Sequence, residues 1–133
     1  MAMSKAERDA FLNKIRIGTL CTLNDDGSPN ALPLWYDWDG EKIRMFSALD
    51  TGKIRRLKAD PRASLTVAEP VGVAEAWVTV EGTVEILDEG GSELGCRLAA
   101  LYYEPKQAQE TIDVWSKATD MMLLELTPTR FRS

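Results

Sequence analysis

"AWVTVEGTVEIL", residues 76–87, is the stretch from which the fold can be read. Its even positions, Ala76, Val78, Val80, Gly82, Val84 and Ile86, are all small or apolar, and its odd positions are mostly Thr and Glu. A period of two means a strand with one face against a core. Working outward, similar short runs recur. "RIGTLCTLN" (16–24), "PNALPLWYDW" (29–38) and "EKIRMFS" (41–47) are separated by "DDGS" (25–28) and by Asp39-Gly40, both hairpin signals. "RASLTVAE" (62–69) and "MMLLELTP" (121–128) complete six strands. Four helical stretches accompany them. Ser4 with Glu7 is a capping-box spacing that opens a helix running to about Lys14, with Ala10, Phe11 and Ile15 on its apolar face. A second helix spans 52–59, stopped by Asp60-Pro61. Two more cover 92–104 and 105–118, the latter with Pro105 in its first turn. The pattern predicts a mostly β fold with flanking helices: a small, six-stranded antiparallel barrel.

At 133 residues, 44% hydrophobic and 28% charged, the chain has the size and composition of one globular domain spanning 1–133. Its 16 basic and 21 acidic residues give a net charge of −5, which opposes a general affinity for nucleic acid or for an anionic membrane surface. No apolar run approaches the ~20 residues of a membrane span. "MAMSKAERDAF" (1–11) lacks the apolar centre of a signal peptide. Cys21 and Cys96 read as free thiols, so a cytoplasmic protein is expected. There is no histidine. That removes Ser-His-Asp and Cys-His nucleophiles, along with the commonest metal and haem ligand, and no metal site is expected. An enzyme of this composition uses carboxylates, Lys or Tyr for proton work, or leaves the chemistry to a cofactor.

"DTGKIRRLKADPR" (50–62) carries Lys53, Arg55, Arg56, Lys58 and Arg62 against Asp50 and Asp60, a local +3, so the rest of the chain sums to −8. Thr51 precedes the helix and can cap it. The first helical turn offers unpaired N–H groups and partial positive charge. Lys53 lies in that turn and Arg56 shares its side, while Ile54 and Leu57 form a stripe that can pin the helix. Thr51, Lys53, Arg56 and the amides can converge on a phosphate, with the Ser47 hydroxyl added from the preceding strand. The alternative is a solvated helix face whose cations meet only water. The "LPLWYDWDG" stretch (32–40) raises a second question. Leu32, Leu34, Tyr36 and Trp38 make one face apolar, and Pro33 and Trp35 make the other apolar too. Pro33 implies an edge or a bulge. The second face needs a cover: a partner subunit, a flat ligand, or the C-terminal helices of the same chain. Trp77, on the polar side of its strand, poses the same question.

Taken in order, "GTLCTLNDDGSPNALPLWYDWDG" (18–40), "IRMFS" (43–47), "TGKIRRLKADPRASLTV" (51–67), "WVTVEGTVEILD" (77–88) and "LLELTPTRF" (123–131) resemble the pyridoxamine-phosphate-oxidase-like flavin-binding split barrels. That group includes general-stress-protein-like members and a branch using the deazaflavin coenzyme F420. The resemblance implies a homodimer with cofactor sites at the subunit interface and a small-molecule substrate, with no nucleic acid or membrane partner. FMN is the implied cofactor, with F420 as the alternative. Lys53 matches the family's phosphate-binding lysine in a Lys-x-x-Asn-Leu pattern whose asparagine is here Arg56. Ser47 and Thr51 match hydroxyl positions near the phosphate. Pro33, Leu34 and Trp35 match the strand beside the flavin ring, Phe46 falls in the matching "IRMFS", and Trp77 matches an aromatic position facing a site completed by the other subunit. The implied function is hydride transfer between the cofactor and a small organic acceptor, with no catalytic side chain assigned. Haem-degrading relatives that rely on a histidine, and pyridoxamine-phosphate oxidase activity itself, are disfavoured. Two further functions remain open: flavin binding without turnover, as in a sensor, store or stress protein, and a single-strand nucleic-acid module stacking bases on Trp35, Trp38 and Trp77.

Overall fold

A computed structural model describes residues 2–133. In chain order the elements are α1 (Lys5–Leu12), β1 (Gly18–Leu23), β2 (Pro29–Leu34), β3 (Asp37–Trp38), β4 (Ile43–Ala48), α2 (Gly52–Ala59), β5 (Arg62–Ala68), β6 (Trp77–Leu87), α3 (Gly91–Tyr102), α4 (Pro105–Trp115) and β7 (Met121–Arg132). The strands form one antiparallel sheet in the order β2-β1-β5-β6-β7-β4-β3.

The two ends of that order are neighbours in sequence. Only Trp35 and Tyr36 separate β2 from β3. The run 29–38, expected as one strand, therefore supplies both edges of a curled sheet and gives seven strands where six were expected. Leu34 still pairs with Gly18 of β1, whereas Asp37 already pairs with Arg44 of β4. A segment that exchanges one neighbour for another must bend between them. The result is a split β-barrel.

Alternation fills its interior. Leu20, Ile43, Met45, Leu65, Val67, Val78, Val80, Leu124 and Leu126 are all fully buried. In β6 the even positions point inward as read from the sequence, with Val78 and Val80 at 0% exposure. Helix α1 packs against β3 and β6. Its capping box is complete: the Glu7 N–H donates to Ser4 Oγ (3.1 Å) and the Ser4 N–H to Glu7 Oε1 (3.0 Å). The helix stops at Leu12 rather than Lys14, which leaves Ile15 52% exposed. Leu12, at 1%, fills the place expected of Ile15, because the chain must leave the helix early to enter β1 at Gly18. Strand β7 runs past Pro128, its expected end, to Arg132, pairing with β6 across a register shift at Glu81/Gly82. Helix α3 lies over β4 and β7, and α4 packs on α3. Among the described residues no helix is long and apolar enough to cross a membrane.

Candidate functional site

Helix α2 forms where its flanks predict, between Thr51 and Asp60. Ile54 and Leu57, each 2% exposed, fix it to the barrel. Thr51 is the N-cap residue by backbone, but its side chain makes no capping bond. Its hydroxyl pairs instead with Ser47 Oγ (2.8 Å) and lies 3.3 Å from the Ala48 carbonyl. Ser47 is buried and also donates to the Ala48 carbonyl. Among the described residues the first-turn amides thus have no side-chain acceptor, the condition under which a helix start receives an anion.

The two cations expected to meet there take different routes. Arg56 is only 9% exposed, and its Nε donates to Thr22 Oγ1 in β1 (2.8 Å). Its guanidinium folds back over the start of the helix, with Nη1 3.0 Å from where a Cβ on Gly52 would stand. Lys53 instead borders a cavity of about 280 Å³ lined also by Leu34, Trp35, Phe46, Tyr103 and Trp115. Burial pushes the Lys53 ammonium below its ordinary pKa, and the nearby charge of Arg56 lowers it further. Among the described residues neither Lys53 nor Arg56 pairs with a carboxylate, whereas Arg16, Arg44, Arg62, Arg97, Arg130 and Arg132 all do. Two neighbouring, partly desolvated cations without an anion form an incomplete arrangement.

The aromatic walls answer the question of what covers Trp35. Tyr102 stacks on it (centroids 4.8 Å apart, 17° between planes), Tyr103 meets it edge-on at 4.7 Å, and Phe46 meets Trp115 edge-on at 5.2 Å. The ends of α3 and α4 provide this cover. Trp35, Leu34, Phe46 and Lys53 are therefore brought together, with Ser47 and Thr51 beside the helix start. Pro33 is not among them: it is exposed on the edge strand, opposite Thr19. Trp77 is also elsewhere, 37% exposed at the head of β6 opposite Ala68. Tyr103 and Trp115 were missed by the sequence reading. The available signal was "LYYEP" (101–105), aromatic residues at a helix end just before Pro105. The base-stacking alternative lacks its aromatic row, because Trp35 is stacked internally and Trp38 is 5% exposed with its Nε1 donating to Asp9 Oδ1.

Tyr36 is structural. Its hydroxyl donates to the Leu12 carbonyl (3.0 Å) and lies 3.3 Å from the Lys14 carbonyl, and burial pushes its pKa far up. Tyr36→Phe is expected to cost about 1–2 kcal/mol in urea unfolding by depriving these carbonyls of their donor. Ligand binding at the Lys53 cavity is expected to be unchanged. A loss of binding with unchanged stability would reassign Tyr36 to the site.

The sequence matches the pyridoxamine 5'-phosphate oxidase family over residues 4–133. Among solved structures, an F420 reductase shares 25% identity with a TM-score of 0.75, the alignment covering 93% of this chain and 94% of that one. A conserved hypothetical protein from Mycobacterium tuberculosis shares 28% with a TM-score of 0.78, covering 98% and 83%. A heme-binding protein from Mycobacterium smegmatis shares 26% with a TM-score of 0.69, covering 98% of this chain and 53% of that one. Among curated proteins none matches the sequence.

Proposed function

Since the chain belongs to the pyridoxamine 5'-phosphate oxidase family, we propose that it holds a phosphorylated flavin or deazaflavin and acts as an oxidoreductase on a small organic molecule. The observation that carries this reading is Lys53 bordering an aromatic cavity with the Arg56 guanidinium folded over the start of the same helix, neither paired with a carboxylate among the described residues. A phosphate supplies the missing anion, and a flat heterocycle suits walls of Trp35, Phe46, Tyr103 and Trp115. The residues present fit such a group. Arg56 and the first-turn amides would hold the phosphate, Lys53 would add a second cation at the cavity, and the aromatic walls with Leu34 would exclude water. When bound, the cofactor supplies hydride chemistry.

FMN is the preferred cofactor and F420 the alternative; the F420 reductase likeness supports the alternative. Haem degradation that relies on a histidine ligand is disfavoured because the chain has no histidine. We place the protein in the cytoplasm, where its two free cysteines stay reduced. We also propose a homodimer. Ile17 and Val73 are exposed and line one recess with Ala68, the strand partner of the exposed Trp77, and a second copy would cover this apolar surface. One observation favours a second reading, a cofactor binder without turnover: among the described residues no carboxylate lines the cavity.

The test is the absorbance spectrum of purified protein followed by titration with each cofactor. Bands near ~450 and ~370 nm indicate FMN and one near ~420 nm the deazaflavin, values set by the cofactors themselves. Binding followed by reoxidation with quinone or nitro acceptors above the oxygen background supports the enzyme. Binding without it supports the second reading, and protein that takes up neither cofactor at micromolar concentration overturns both.

A further inference from the structure

Thr22 occupies an inward position of β1 and is 1% exposed, a place where valine would fill the same space without a polar atom to satisfy. Its hydroxyl has a specific use: it accepts the Arg56 Nε–H. A planar guanidinium held at Nε is fixed in direction, so its remaining N–H groups are aimed rather than mobile. They are aimed at the start of α2, with Nη1 3.0 Å from the position a Gly52 Cβ would take. The η nitrogens find no acceptor among the described residues. Gly52 leaves the space in which the guanidinium lies, and Lys53 lies close enough for its own pKa to fall in response.

We propose that Thr22 is a positioning residue for the phosphate site: by holding Arg56 against the helix start, it sets the preference for phosphorylated over unphosphorylated ligands. This deepens the function proposed above and rests on it for the identity of the ring, while the anion site stands on the Thr22–Arg56–Gly52 geometry alone. The ligand class is a phosphate ester. Arginine suits it because the guanidinium fork offers parallel donors to two phosphate oxygens, which an amide at position 56 cannot.

The experiment compares wild type, Thr22→Val, Thr22→Ser and Arg56→Lys by the ratio of affinities for FMN and riboflavin, and for F420 and its unphosphorylated precursor. Thr22→Val keeps the shape and removes the acceptor. It is expected to lower the preference for the phosphorylated form about tenfold with riboflavin affinity unchanged. Thr22→Ser restores the preference. Arg56→Lys keeps the charge and gives up the anchored fork, so it loses preference as Thr22→Val does. An unchanged ratio in Thr22→Val, or equal losses for FMN and riboflavin, overturns the inference while leaving the cofactor reading intact. If Thr22→Val does not fold, Thr22→Ala, which also removes the acceptor, is read by the same ratio and decides. If wild type binds neither cofactor, the cofactor reading falls, and inorganic phosphate decides the rest. Thermal stabilisation by phosphate that Thr22→Val loses and Thr22→Ser keeps supports the inference; stabilisation absent or alike in all variants overturns it.

Discussion

Gly82→Ala is expected to lower the stability of this protein by about 3 kcal/mol or more, a large part of the ~5–15 kcal/mol that holds a typical domain together. A methyl group at residue 82 would stand 2.0 Å from the Thr127 carbonyl oxygen, 2.9 Å from its carbon and 3.1 Å from Pro128 Cα. All three are backbone atoms, so no rotamer change relieves the contact. The site lies at the register shift between β6 and β7, where Gly82 opposes Pro128 and Thr83 opposes Thr127. Relief requires the two strands to separate, and with them pairs on either side of the shift. A fall in Tm on the order of 10 °C or more follows from such a loss, readable by thermal and urea unfolding. A variant within about 0.5 kcal/mol of wild type would show that the strands part there at little cost.

The second large effect concerns Lys53. Lys53→Met is expected to weaken binding of the phosphorylated cofactor about tenfold to hundredfold, the range for a charge-assisted hydrogen bond, by fluorescence titration. The same variant is expected to be at least as stable as wild type when no ligand is present. Burial, and after it the charge of Arg56, hold the Lys53 pKa below 10.5 in the folded protein. Protonated Lys53 therefore destabilises the fold. That cost is fully present below the depressed folded value and is relieved as pH rises from there to 10.5, because the unfolded chain then binds the proton more readily. A bound phosphate reverses the sign, favouring the ammonium. Ligand affinity should thus fall with rising pH from a point below the ordinary lysine range, and Lys53→Met should lack that fall. Cofactor affinity in Lys53→Met equal to wild type would remove Lys53 from the site.

Much of this was legible in the sequence, for local reasons. Helix α2 is bounded by Thr51 and Asp60-Pro61, signals within one turn of its ends. The inward face of β6 follows from strict alternation. The Ser4/Glu7 box fixes the start of α1, but no equally local signal fixes its end, so Ile15 was assigned to a core position that Leu12 fills. The cations at 53 and 56 could be placed on one side of a helix, yet the partner of Arg56, Thr22, lies in a strand 34 positions away, and spacing carries no information about it. The same limit applied to Trp35. Its two apolar faces showed that a cover was needed, but whether a ligand, a second chain or the C-terminal helices provided it depended on how α3 and α4 fold back. Tyr103 and Trp115 reach the cavity only by that route.

The bend at Trp35 and Tyr36 has a consequence for behaviour in concentrated solution. Both rims of the curled sheet come from one short, interrupted segment: one rim ends in a proline-containing strand and the other is two residues long. Neither exposes a long, regular row of unpaired backbone donors and acceptors. The protein therefore offers little template for strand addition by neighbouring molecules, and resistance to fibril growth is built into its connectivity instead of depending on surface charge.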